Sequence, residues 1–266
     1  MSRRIATLRF DRVTKRFRGG TTALDAVSFD VPEGQFCAVI GPSGAGKSTL
    51  LRMVNGLAEP SEGYVEIGGM RVCARNLSAL RRDTGMIHQH FSLTPRANVA
   101  TNVVAGALPA ISTWRALTGL FPDHFRKKAC ALIAAVGLDE THLRRRAETL
   151  SGGQQQRVGI ARAFMLDPSI ILADEPVASL DPRLSGDILA LLKREASTRG
   201  STVLCTLHQI DLAKRFADRI VALRDGRIVF DGPPAALDDS VIDALYERPA
   251  VPGATETVAP VTAEAA

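Results

Sequence analysis

Short, wholly apolar runs alternate along this chain with stretches whose apolar positions recur every three or four residues. Phe36-Cys37-Ala38-Val39-Ile40 is such a run, stopping at Gly41, the pattern of a strand buried on both faces. Residues 48–57 then predict a helix. Residues 169–173 and 202–206 predict two more buried strands, and between them Leu184, Ile188, Leu191 and Leu192 share one helical face. Residues 220–223 lead through Arg224 into Asp225-Gly226-Arg227, a hairpin-type turn, and on to Ile228-Val229-Phe230. Strand–helix alternation of this kind predicts an α/β fold with a mostly parallel sheet.

Residues 91–150 break the alternation. They hold no convincing strand, while Ala129, Leu132, Ile133 and Val136 recur at helical spacing, which predicts a mainly helical insert. The last 18 residues, 249–266, carry three prolines, two glutamates, no lysine or arginine and no periodicity, and predict a disordered tail. No internal repeat is visible.

Composition narrows the class. The chain has 266 residues, 45% of them hydrophobic and 23% charged, which is ordinary globular composition and excludes a collagen-like, coiled-coil or wholly disordered chain. The longest apolar run, residues 129–138, is ten residues, whereas a bilayer span needs roughly 20. No membrane crossing is expected. Arg3-Arg4 is followed by no apolar stretch of the secretory kind. Cys37, Cys73, Cys130 and Cys205 lack metal-like spacing and read as buried free thiols of a reducing compartment. The net charge of +5 is a weak hint of an anionic partner such as nucleic acid or a membrane surface.

The chemistry begins where the first strand ends. Gly41-Pro42-Ser43-Gly44-Ala45-Gly46-Lys47-Ser48 fits the phosphate-binding pattern G-x-x-x-x-G-K-[ST], and it lies between a predicted strand and a predicted helix, as that pattern requires. Its glycines let the backbone turn its N–H groups inward, and the helix start adds partial positive charge for phosphate oxygens. Lys47 suits the β- and γ-phosphates, and the Ser48 hydroxyl suits Mg²⁺. A second strand, Ile170-Ile171-Leu172-Ala173, delivers Asp174 and Glu175 at its C-terminal end, where open α/β sheets bind ligands. There Asp174 suits Mg²⁺ and Glu175 a water that must be held in line for phosphoryl transfer. The set predicts a Mg-ATP or Mg-GTP hydrolase, and the lack of any N-K-x-D guanine-reading motif favours ATP.

Leu150-Ser151-Gly152-Gly153-Gln154 before another helical stretch makes a second anion site of backbone donors, a hydroxyl and a helix start. One nucleotide rarely needs two such sites from one chain, so the surplus points to the nucleotide of another subunit. With these motifs in place the chain resembles the ATP-binding-cassette ATPases over about residues 5–235. The resemblance implies a P-loop NTPase (RecA-like) core at about 1–90 and 157–248, with an N-terminal antiparallel β region and a helical subdomain at about 91–156. It implies a homodimer sandwiching two ATP molecules, each held by one chain's residues 41–49, Thr49 included, and the partner's Ser151, Gly152, Gly153 and Gln154.

Further roles follow from the same resemblance. Phe17 takes the position of the aromatic that stacks on adenine, although by itself it reads as core. Gln89 matches the glutamine that touches Mg²⁺ and relays to the membrane partner, with His88 and His90 replacing the usual neighbours. Asp181, in Ala178-Ser179-Leu180-Asp181, matches the loop that couples the two sites of the dimer. His208 matches the histidine that contacts the γ-phosphate, although a lone histidine at a strand end also reads as structural.

Residues 112–122, with Trp114, resemble a segment typical of phosphonate-importer ATPases, as do residues 173–182 and 207–218; by residue type alone Trp114 equally suits a core anchor. The expectation is therefore the ATPase subunit of a bacterial phosphonate importer, peripheral on the cytoplasmic face of the inner membrane. Its partners would be two separate permease subunits and, through them, a periplasmic binding protein, with no nucleic acid. Another small cargo (phosphate, a polar amino acid, methionine) is the alternative. A non-transport cassette acting on DNA or ribosomes fits less well, because those carry coiled-coil insertions or tandem cassettes. A small-molecule kinase leaves residues 150–154 unexplained.

Overall fold

The computed structural model describes residues 7–246, so the expected tail at 249–266 lies outside the described residues. Two sheets organise the chain. Strands β1 (Leu8–Arg16) and β2 (Thr22–Val31) form an antiparallel pair, and β1 also pairs with β4 (Glu62–Ile67), which carries the short β5 (Met70–Arg71). Between them in sequence come β3 (Phe36–Ile40) and helix α1 (Lys47–Val54). Helix α2 (Leu77–Arg82) follows β5 and leads to β6 (Thr84–Ile87).

The central sheet is completed from the second half of the chain by β7 (Ile170–Asp174), β8 (Thr202–Leu207), β9 (Arg219–Arg224) and β10 (Arg227–Gly232). Its order is β10-β9-β3-β8-β7-β6, parallel throughout except for the β9–β10 hairpin. That hairpin turns on Asp225 and Gly226, both at positive φ (50° and 76°), as the Asp-Gly pair predicts.

Alternation along each strand sorts the core into two layers. Cys37 and Val39, with Ile170, Leu172, Leu204, Val221 and Leu223, face α1 and the antiparallel sheet. Phe36, Ala38 and Ile40, with Ile171, Ala173, Val203, Cys205 and Ile220, face the helices. Both faces are covered, which is why these strands read as unbroken apolar runs.

The helical layer holds α3 (Val99–Val104), α4 (Thr113–Thr118), α5 (Asp123–Ala135), α6 (Gly152–Ala163), α7 (Pro182–Arg199), α8 (Ile210–Phe216) and α9 (Asp239–Tyr246). Ala129, Leu132, Ile133 and Val136 are buried as their spacing predicts, and α6 runs on through residue 156. Trp114 is not a core anchor: it is 72% exposed, and α4 has no buried residue. The cysteines also divide. Cys37 and Cys205 are buried, but Cys73 and Cys130 are exposed, because they sit outside the sheet that buries the other two. Among the described residues no helix is long and apolar enough to cross a membrane.

Candidate functional site

Residues 41–46 join β3 to α1 and are shaped by what lies behind them. Gly41 has φ 148°, and a Cβ there would stand 2.1 Å from the Leu223 carbonyl oxygen of β9. At Gly46 (φ 102°) it would stand 2.4 Å from the Ala23 carbonyl oxygen, whereas at Gly44 (φ 83°) it would meet open space. The first and last glycines are thus wedged against backbone, and the middle one faces outward. Gly46 caps α1 without any side-chain hydrogen bond, leaving the N–H groups of the first turn without a capping partner.

Lys47 is almost wholly buried, and its Nζ donates to the carbonyls of Gly41 (2.8 Å) and Pro42 (3.0 Å). Burial pushes its ammonium down from the usual lysine range, while Glu175 and then Asp174 pull it back up. The Ser48 hydroxyl donates to Asp174 Oδ1 at 2.9 Å. Thr206, fully buried on β8, is a residue that sequence reasoning missed. Its hydroxyl donates to the same Asp174 Oδ1 at 2.9 Å and accepts from the Glu175 N–H at 2.8 Å. Glu175 holds φ 47°, unusual for a non-glycine, and its Oε1 meets His208 Nε2 at 2.5 Å. Residues 41–48, Asp174, Glu175, Thr206 and His208 therefore converge on the C-terminal edge of β3, β7 and β8.

The other expected residues lie around this cluster or apart from it. Phe17, 46% exposed in the turn after β1, is not core, and Lys15 Nζ sits 5.3 Å from its ring centre. Gln89 is half-buried just past β6 and makes no side-chain hydrogen bond among the described residues. Phe91 and Ser92 beyond it have φ 51° and 48°, and both their carbonyls are held by Arg162 of α6, at 2.9 and 2.6 Å. Arg162 is a second residue the sequence did not reveal. Burial, followed by the Arg162 charge, pushes the neighbouring His88 down, against the pull of Asp174.

Ser151 caps α6: its Oγ accepts from the Gln154 N–H at 3.3 Å, and Gln154 Oε1 accepts from the Ser151 N–H at 3.1 Å, a complete capping box. A Cβ on Gly153 would lie 2.6 Å from Leu184 Cδ2, so this glycine lets α6 close on α7. Asp181 caps α7 by accepting from the Leu184 N–H at 3.0 Å. Among the described residues no hydrogen bond or ion pair joins residues 151–154 to residues 41–49.

Chemically, the cluster offers a cation, uncapped backbone donors and a glycine-lined turn to a polyphosphate. Beside them it offers a hydroxyl–carboxylate pair of the kind that holds a divalent cation, and the Glu175 carboxylate, held on one oxygen by His208, for water. The chain is similar to known proteins of one family. The family model described as "ABC transporter" matches residues 24–178. A "Phosphonates import ATP-binding protein PhnC" from Hydrogenovibrio crunogenus is 52% identical over 238 residues, 90% of this chain and 88% of that protein. One of the same name from Hyphomonas neptunium is 49% identical over 236 residues, 89% of this chain and 88% of that protein. Among solved structures, the dimeric ATP-binding cassette MJ0796, bound to ADP and Pi in a post-hydrolysis state, has a TM-score of 0.74 and 34% identity, covering 85% of this chain and 98% of its own. CbiO1 from Clostridium perfringens, part of the ABC transporter complex CbiONQ, has a TM-score of 0.76 and 27% identity, covering 85% of this chain and 88% of its own. The chain belongs to the ABC transporter family and is one of its ATP-binding cassettes.

Proposed function

We propose that this chain is the ATP-hydrolysing subunit of a phosphonate importer. The observation that carries the ATPase half is the convergence of the 41–48 turn, Asp174 and Glu175 on one sheet edge. The cargo half rests on the name shared by relatives at about half identity over nearly the whole chain.

Lys47 and the backbone donors of residues 43–49 would hold the β- and γ-phosphates, and the exposed Phe17 ring suits the adenine face. Ser48, Asp174 and Gln89 would hold Mg²⁺, which when bound neutralises charge on the phosphate oxygens. Glu175 accepts a hydrogen bond from the attacking water and orients it, while His208 holds the Glu175 carboxylate. Ser151, Gly152, Gly153 and Gln154 serve the nucleotide of a second copy, a reading supported by the lack, among the described residues, of any hydrogen bond or ion pair from them to residues 41–49. Asp181 sits beside that interface at the head of α7. Two permease subunits and a periplasmic binding protein would complete an importer on the cytoplasmic face of the inner membrane, with residues 91–156 as the helical subdomain.

The test pairs biochemistry with growth. The purified chain hydrolyses Mg-ATP, and Glu175→Gln binds ATP, dimerises and turns over at least about a hundredfold more slowly, as loss of a positioned base allows. Deleting the coding sequence abolishes growth on a phosphonate as sole phosphorus source and spares growth on phosphate. Undiminished turnover in Glu175→Gln rejects its role; undiminished growth on the phosphonate, with no second importer present, rejects the cargo.

A further inference from the structure

Gln154 does more than close a capping box. Its Nε2 lies 3.2 Å from Nε2 of His142, which sits in the 3₁₀ turn Glu140–Arg144. His142 Nδ1 in turn lies 2.9 Å from Asp139 Oδ1. The Asp139 carboxylate also accepts from the Thr141 N–H at 2.9 Å and from the Thr141 hydroxyl.

The hydrogen-bond network fixes the proton. Gln154 Oε1 must face the Ser151 N–H, because only oxygen accepts there. The Gln154 amide nitrogen then faces the ring, and it has only hydrogens to offer. His142 Nε2 is therefore the bare acceptor, and the ring proton is on Nδ1, donated to Asp139. A protonated ring would turn a second N–H toward the Gln154 NH₂, donor against donor.

We propose that His142 is a positioning residue for the segment Ser151–Gln154: the neutral, Asp139-held ring anchors the Gln154 side chain, and protonation of the ring releases it. This rests on the reading that residues 151–154 serve the nucleotide of a second copy. Gln154 is the joint, because the same amide that meets His142 closes the cap over Ser151 and thereby sets the first turn of α6. Charged groups lie on the ring's own turn and on helices α5 and α6. Asp139 lies on its own turn, its carboxyl held down to about 2 by the Thr141 hydroxyl first and His142 next. Arg157 of α6 is fixed on the Val136 carbonyl at 2.6 Å, and Arg126 of α5 lines the groove that also holds Leu143. Helix α3 brings no titratable group. Glu140 and Arg144 on the turn are exposed.

The experiment uses the full chain carrying Glu175→Gln, with ATP-driven dimerisation followed by light scattering between pH 8 and pH 5.5. ADP binding to the monomer, read by calorimetry, serves as the control. The parent dimer weakens on acidification by roughly fivefold per 151–154 segment, about 25-fold for two, the worth of one hydrogen bond each. His142→Gln, whose Oε1 accepts from Gln154 but does not titrate, keeps the pH 8 affinity and loses that acid weakening. His142→Lys, a permanent donor, gives a weak dimer at every pH, and ADP binding is the same in all. A His142→Gln chain with the parent's pH dependence, or a His142→Lys chain that dimerises like the parent, overturns the proposal alone. A parent that forms no ATP-driven dimer at pH 8 overturns the second-copy reading and the proposal with it.

Discussion

Thr206 gives the sharpest test of how the site is held. It is fully buried, donates to Asp174 Oδ1 at 2.9 Å and accepts from the Glu175 N–H at 2.8 Å. Thr206→Val keeps the volume and deletes the hydroxyl. The lost bond to a carboxylate is worth about 1.5–3 kcal/mol, and the stranded Glu175 N–H costs about 1–3 kcal/mol more. Burying one more methyl returns about 0.8 kcal/mol. The net is a destabilisation of about 2–5 kcal/mol. Thr206→Ser keeps both bonds and removes one methyl, which costs about 0.5–1.5 kcal/mol, as other single-methyl deletions in cores do. Valine therefore unfolds at lower denaturant than serine, although it fills the site better. Turnover follows the same order. With Glu175 no longer pinned at φ 47°, the valine variant hydrolyses Mg-ATP about tenfold more slowly, the equivalent of about 1.4 kcal/mol of lost positioning. The assays are urea unfolding by circular dichroism and phosphate release. If serine proves the less stable variant, packing rather than the hydroxyl holds this edge, and the reasoning fails.

Two further predictions rest on local geometry. Gly41→Ala, which drives a Cβ into the Leu223 carbonyl, destabilises by about 3 kcal/mol or more, whereas Gly44→Ala pays only its left-handed backbone, about 1–2 kcal/mol. Equal unfolding midpoints for the two would refute the assigned contacts. A thiol-reactive dye modifies Cys73 and Cys130 in the native protein and reaches Cys37 and Cys205 only in denaturant, since burial also raises both of those thiols' pKa values. Fast labelling of all four without denaturant would contradict the burial.

What could be read from the sequence was what lies contiguous in it. Residues 41–48, 151–154 and 174–175 act as runs, and their strands announce themselves because both sheet faces are buried. Strand β6 was invisible: it is four residues long, and Gly85 sits in it because a Cβ would meet the Ala163 carbonyl oxygen at 2.5 Å. A tertiary contact there overrides strand propensity. Thr206 was illegible for a related reason. Only the parallel register of β7 on β8, which sets Asp174 opposite Thr206, brings its hydroxyl to the site. His142 and Arg162 likewise act on partners 12 and about 70 residues away. Trp114 stays open in the sequence because residue type carries no information about which way a short helix faces.

The distribution of backbone strain shows how the two halves of the site are joined. Among the described residues, seven non-glycine residues have positive φ. Four have local explanations. Arg12 and Ala26 sit at irregularities of the β1–β2 pair, where their N–H groups turn to the hydroxyls of Ser28 and Thr14. Asp225 is in a hairpin turn, and Asp167 lies in the turn after α6. The remaining three, Phe91, Ser92 and Glu175, stand where the chain leaves β6 and β7 for the helical layer. Each is held by a side chain from elsewhere: Arg162 on the carbonyls of Phe91 and Ser92, Thr206 on the N–H of Glu175. Strain that persists because neighbours over-determine it belongs to function. Here it marks the two crossings between the sheet that carries the phosphate turn and the layer that carries Ser151–Gln154. On the proposed reading, in which the two halves serve different nucleotides, the links need fixing at those two points, and Arg162 and Thr206 are the side chains that fix them.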